Sequence, residues 1–165
     1  MVASLLVPGD GCRSVIHEFA NIMSQLPSYF DDEILGRMEY NPDLSWYEGW
    51  LDNEKIGLPA EISLPAKTLF ELNANTELLR RAVKEAESLV NLAKQSAQQT
   101  YFDNGYMDDP AINADSFRDR LELTTLWIDN NGGLALSFST DDMFPGHAIR
   151  VDFDGAFSHA TSTLW

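Results

Sequence analysis

Apolar positions along the chain change their period several times, and each change marks an element. Val15, Phe19, Ile22, Met23 and Leu26 recur at helical spacing behind a capping Ser14, and Pro27 ends the pattern. This predicts a short N-terminal helix. The period then falls to that of strands over residues 34–40, 46–51 and 56–64, with Asn41-Pro42-Asp43 and Asp52-Asn53-Glu54 as turns between them. Three short strands with close turns predict an antiparallel meander. From an N-cap at Asn75, the positions Leu79, Ala82, Val83, Ala86, Leu89, Val90, Ala93 and Ala97 follow one face, with no Gly or Pro before Gly105. One helix of more than about 20 residues is expected there, at the usual period of 3.6. A polar connection over residues 103–110 leads to a short helical turn capped by Asn113, with Phe117 packing inward. Four more strand-like runs follow, at 121–128, 134–139, 148–153 and 157–164. Asp129-Asn130-Asn131-Gly132-Gly133 and Asp154-Gly155 supply hairpin turns that tolerate positive φ. The expected fold is α+β: an antiparallel β-sheet with one long helix packed on a face and a short N-terminal helix.

The chain has 165 residues, a size suited to a single domain spanning 1–165 with a core that needs no disulfide or structural metal. Its charge changes the picture. Eleven Lys and Arg against 26 Asp and Glu give a net charge of −15. The predicted long helix is nearly neutral, so the acid lies on the strand-rich portions either side of it. Such a chain is repelled by phosphate backbones and anionic lipids, which argues against nucleic acid and membrane partners and for a basic protein partner. The single Cys12 cannot make an internal disulfide. The apolar run at the start of the chain is short and stops at Pro8, unlike a signal peptide. The expectation is a cytoplasmic protein.

Catalytic signatures are absent from the sequence: no nucleophile elbow, no phosphate-binding Gly-rich loop and no His-Glu-x-x-His. Two segments carry candidate chemistry. In the first, strand alternation sends Trp46, Glu48 and Trp50 to one face, with Asp52 just beyond. Aromatic anchors rimmed by carboxylates suit a basic protein surface, although a Trp pair can also be core. In the second, Asp141-Asp142-Met143-Phe144-Pro145-Gly146-His147 joins two predicted strands. Asp141, Asp142 and Phe144 extend the partner surface. Alternatively, Asp141, Asp142 and His147 centre a metal-dependent or acid/base enzyme, with Asp152 and Asp154 a strand-length away. The leading reading needs no cofactor and no metal. It makes the chain a non-enzymatic binding module, with an adaptor or structural subunit as a further alternative.

The succession Ile34-Leu35-Gly36, Trp46-x-x-Gly49, a long helix, Phe117 before a strand pair, and Phe144-Pro145-Gly146-His147 before an alternating strand resembles a bacterial domain-of-unknown-function family. Its members are small acidic proteins, some of them encoded in toxin–immunity loci. The resemblance covers roughly residues 30–160 and leaves the N-terminal arm outside. It implies an α+β fold and an immunity role, neutralising a cognate bacterial toxin, and it brings no catalytic residues with it.

Overall fold

A computed structural model describes residues 25–52, 60–106, 109–140 and 143–165. The predicted N-terminal helix, Cys12 and the pair Asp141 and Asp142 lie outside these residues.

The strands form one eight-stranded sheet whose spatial order is the order of the sequence. They are β1 (Tyr29–Asp32), β2 (Gly36–Asn41), β3 (Trp46–Leu51), β4 (Ala60–Pro65), β5 (Glu122–Ile128), β6 (Leu134–Ser139), β7 (Ala148–Phe153) and β8 (Ala160–Leu164). Neighbours pair antiparallel except β4 and β5, which run parallel with Ile62 opposite Leu126. The sheet is therefore mixed, which corrects the expected antiparallel one. Parallel neighbours cannot be joined by a hairpin, so the chain must cross over between them. It does so through α1 (Leu69–Lys84), α2 (Ala86–Ala97), a π-helical turn at Gln98–Phe102, and α3 (Ala114–Asp119).

The expected long helix is also corrected. It starts earlier, at a Thr68 cap whose side chain accepts from the Glu71 N–H, and it breaks at Glu85. Asn75 is not a cap: it lies inside α1 and donates Nδ2 to the Pro65 carbonyl at 2.7 Å. An unbroken helix from Leu69 to Ala97 would be roughly 40 Å long, well beyond strands of six residues spanning about 20 Å. The break lets α1 lie over β4 to β6 and α2 over β7 and β8. No Gly or Pro marks it, because the constraint is the size of the sheet and not local propensity. α3 keeps its predicted cap: Asn113 and Ser116 form a reciprocal capping box.

All three α-helices pack on one side of the sheet. Leu79, Ala82, Val83, Leu89, Val90 and Ala93 share a core with Tyr47, Ile62, Leu64, Leu126, Leu136, Phe138, Ile149 and Val151. Two polar devices pin this layer. Tyr47, fully buried, donates its hydroxyl to the Pro27 carbonyl at 2.6 Å and packs against Phe30 and Tyr40. The buried carboxylate of Asp32 accepts from the Ile34 and Leu35 N–H groups at 2.8 and 2.9 Å, which fixes the β1–β2 turn. Its second oxygen pairs with Arg80 on α1. Burial alone would raise the Asp32 pKa. The Arg80 hydrogen bond, the two backbone N–H groups and the Arg80 charge outweigh it and hold the carboxyl below its ordinary 3.8.

Asp32→Asn and Arg80→Ala are each expected to cost about 2–4 kcal/mol in denaturant unfolding, since each leaves a buried polar group without its partner. Because the folded pKa of Asp32 is depressed, its contribution is complete above the unfolded value and fades as pH falls through the folded one. Asp32→Asn should therefore flatten the acid limb of the stability profile. At the other end, burial, assisted by Tyr40, pushes the Tyr47 hydroxyl up to about 12. Its contribution holds below pH 10 and declines from there to about 12, a decline that Tyr47→Phe should remove at a cost of about 1 kcal/mol.

Candidate functional site

With the helices on one side, the other side of the sheet carries no helix among the described residues. Strand alternation decides what stands there. On β3, Tyr47, Gly49 and Leu51 face the core, and Trp46, Glu48 and Trp50 face away. The register carries this parity across the sheet. Glu48 lies opposite Ser63 and Trp50 opposite Glu61; Glu61 then pairs with Thr125 and Ser63 with Trp127. Beyond them come Ser137, Arg150 and Thr163 in one row, and Ala135, Asp152 and Thr161 in the next. Trp165 continues the β8 parity, exchanging backbone hydrogen bonds of 3.1 Å with Ala148. All four tryptophans of the chain thus stand on the open face.

They differ in exposure. Trp50 and Trp165 are 69% and 60% accessible, Trp46 is half-buried, and Trp127 is only 6% accessible. Trp127 lies under Trp165, with ring centroids 6.0 Å apart, and under the Arg150 guanidinium, 5.2 Å from its ring centre. Arg150 is held in turn by Asp152 at 2.6 Å and Asp129 at 3.5 Å. At the β1 side, Arg37 lies 4.1 Å over the Tyr29 ring and pairs with Glu39 at 2.9 Å.

Two hollows lie between these groups. One, of about 620 Å³, is lined by Arg37, Glu39, Glu48, Gly49, Trp50 and Glu61. The other, of about 320 Å³, has Leu44, Trp46, Trp127, Arg150 and Trp165 among its walls. Glu48 and Glu61 line both. Glu39 and Glu48 sit directly opposite one another across β2 and β3, a like-charge pairing that costs a bare sheet stability. Arg37 offsets Glu39. Glu48 has only long contacts of 3.5 Å from Asn41 Nδ2, and the Glu61 side chain has no hydrogen bond or ion pair among the described residues.

Residues 32–161 match the family DUF2262, described as an uncharacterized protein conserved in bacteria. The chain belongs to this family. No curated protein and no solved structure matches it. The Trp46-x-x-Gly49 step of this DUF2262 protein has a steric reason. A Cβ at Gly49 would lie 2.8 Å from the Arg37 carbonyl oxygen and 2.6 Å from Met38 Sδ, so only glycine lets β2 approach β3 here.

The predicted site residues separate. Trp46, Glu48 and Trp50 are brought together on the open face, and Asp52 is exposed just past the end of β3. Phe144 is elsewhere. It turns to the helical side, packs on the core and meets Tyr101 of the π-helical turn edge-on at 5.6 Å. His147 is exposed, with Nδ1 3.4 Å from the Trp165 carbonyl, and its own carbonyl accepts from Thr140 Oγ1 at 2.9 Å. Asp152 pairs with Arg150, whereas Asp154 binds Ser158 and the His159 N–H across a turn. Among the described residues, no group of three or more His, Cys, Asp or Glu stands together so as to hold a metal ion. None of the described helices is long and apolar enough to cross a membrane. Sequence reasoning missed Glu61, Trp127, Arg150 and Trp165. The signal for Trp165 was present as the polar parity of Thr161 and Thr163, but placing it beside Trp127 needs the strand order.

Gly49→Ala is expected to lower stability by about 2 kcal/mol or more, since backbone must move to admit one methyl group. Trp50→Ala should stay within about 0.5 kcal/mol of the parent, because its ring is mostly in water. Thermal unfolding of the two variants side by side checks both.

Proposed function

We propose that this protein is a protein-binding module and that the open face of its sheet receives a basic protein partner. The observation that carries the reading is the gathering of all four tryptophans on the face that carries no helix among the described residues, interleaved with Glu48 and Glu61, which have no counter-ion among those residues. A monomer gains nothing by exposing Trp50 and Trp165 or by setting Glu39 against Glu48 on a bare sheet. A cationic surface would cover the first and relieve the second. Aromatic rings then act as anchors, and Glu48, Glu61 and Asp52 steer the approach. In its finer form the proposal is a cytoplasmic immunity protein whose partner is a bacterial toxin domain, a form supported by the family resemblance and by the charge of −15. Phe144 has no part in this surface.

The expected partner is a basic toxin-like domain encoded next to this gene, and the test uses that domain; a neighbourhood that encodes none counts against the immunity form. The domain's association rate should fall about tenfold as salt rises from low to physiological concentration, where the Debye length is about 8 Å. Reversing Glu48 and Asp52 to Lys should slow association, whereas Trp50→Ala should mainly speed dissociation. An association rate indifferent to salt, together with unchanged binding by all three variants, would overturn the proposal.

A further inference from the structure

The open face repeats one arrangement of side chains. At its β1 side the Arg37 guanidinium lies on the Tyr29 ring and against the Glu39 carboxylate. Toward β7 the Arg150 guanidinium lies on the Trp127 ring and against Asp152 and Asp129. Between these two sets stands a third group of aromatics and acids: Trp46 and Trp50 flank Glu48 along β3, with Glu61 beside them on β4. It has the ring faces and the carboxylates but no arginine of its own among the described residues. The two hollows open over it, and Glu48 and Glu61 border both.

We infer that this central position receives one arginine side chain from the partner protein, stacked on Trp50 and hydrogen-bonded to Glu48 and Glu61. The inference rests on the reading of the open face as a partner surface and specifies what that surface recognises. Arginine fits better than lysine for a reason the face itself displays. A planar guanidinium can lie on an indole ring and offer two parallel N–H groups to a carboxylate, whereas an ammonium is a strongly hydrated point charge with no plane to stack. Among the described residues Glu48 and Glu61 are also the face's carboxylates without a cation, so the incoming charge replaces no salt bridge within them.

Calorimetric titration with the peptide acetyl-Gly-Arg-Gly-amide and its lysine counterpart tests the inference on the intact protein. The arginine peptide should bind about fivefold more tightly than the lysine peptide. Glu61→Gln should weaken it about tenfold, the size expected for losing a charge-assisted hydrogen bond. Its melting temperature should stay at the parent value, which separates lost recognition from lost folding. Trp50→Ala should remove most of the preference for arginine. Equal binding of the two peptides, or full binding by Glu61→Gln, would overturn the subsite. The same variants titrated with the toxin-like domain expected as partner keep the two levels apart. If Glu61→Gln leaves that complex intact while Glu48 and Asp52 reversal still slows its formation, the arginine subsite fails and the partner surface stands. If no open-face variant affects the complex, the surface itself fails.

Discussion

The chain leaves β4 at Pro65 and must return to the opposite end of the sheet before β5 can lie parallel beside it. That single crossover absorbs every helix of the described residues, and a crossover can lie on only one side of a sheet. Its consequence is two-layered: one parity of the strands turns toward the helical layer, and among the described residues the other is left to side chains alone. The break at Glu85 serves the same geometry, because a helical layer must bend to follow eight twisted strands. Asp32 and Arg80 then fasten the first hairpin to that layer. The lock ties together residues 48 apart in sequence, so it acts as a long-range clasp.

The helical side is conventional in its chemistry and the open side is not. Buried polar groups on the helical side are satisfied: Tyr47 has Pro27, Ser96 meets Ser162 at 2.8 Å, and among the described residues no buried side-chain nitrogen or oxygen lacks a partner. The open side instead holds large aromatics at graded exposure and acids in direct opposition. Stability alone selects for the first kind of surface and against the second. The two sides share the same strands, and Gly49 shows how closely they are coupled. Removing its side chain permits the tight β2–β3 approach that sets Glu39 opposite Glu48.

Much of this order was legible in the alternation of residues. Trp46, Glu48 and Trp50 read out on one face from the sequence of β3 alone, and the boundaries of β6 and β7 matched the apolar runs. What failed had causes outside the local pattern. β1 is short, and its Tyr29 and Phe30 fall beyond the Pro27 that ended the preceding helical pattern. The helix break carries no breaker residue. The parallel β4–β5 contact depends on where the crossover returns, which no window of sequence contains. Phe144 looked like a surface anchor because its neighbours are acidic and turn-forming. It is half-buried instead, packed on the core and on Tyr101, which the π-helical turn places against it. Glu61 and Arg150 acquire their meaning only once β4, β5, β6 and β7 stand side by side.

The segregation of tryptophan has a spectroscopic consequence. The core is filled by aliphatic residues, phenylalanine and tyrosine, so all indole emission from this protein originates on its open side. Trp127, shielded by Trp165 and Arg150, supplies the blue component; Trp50 and Trp165 supply the red. Intrinsic fluorescence is therefore a local readout of one surface and not a measure of the interior. An unfolding curve followed at these wavelengths registers the dispersal of that surface, and only its coincidence with far-ultraviolet dichroism would show that the two layers come apart together.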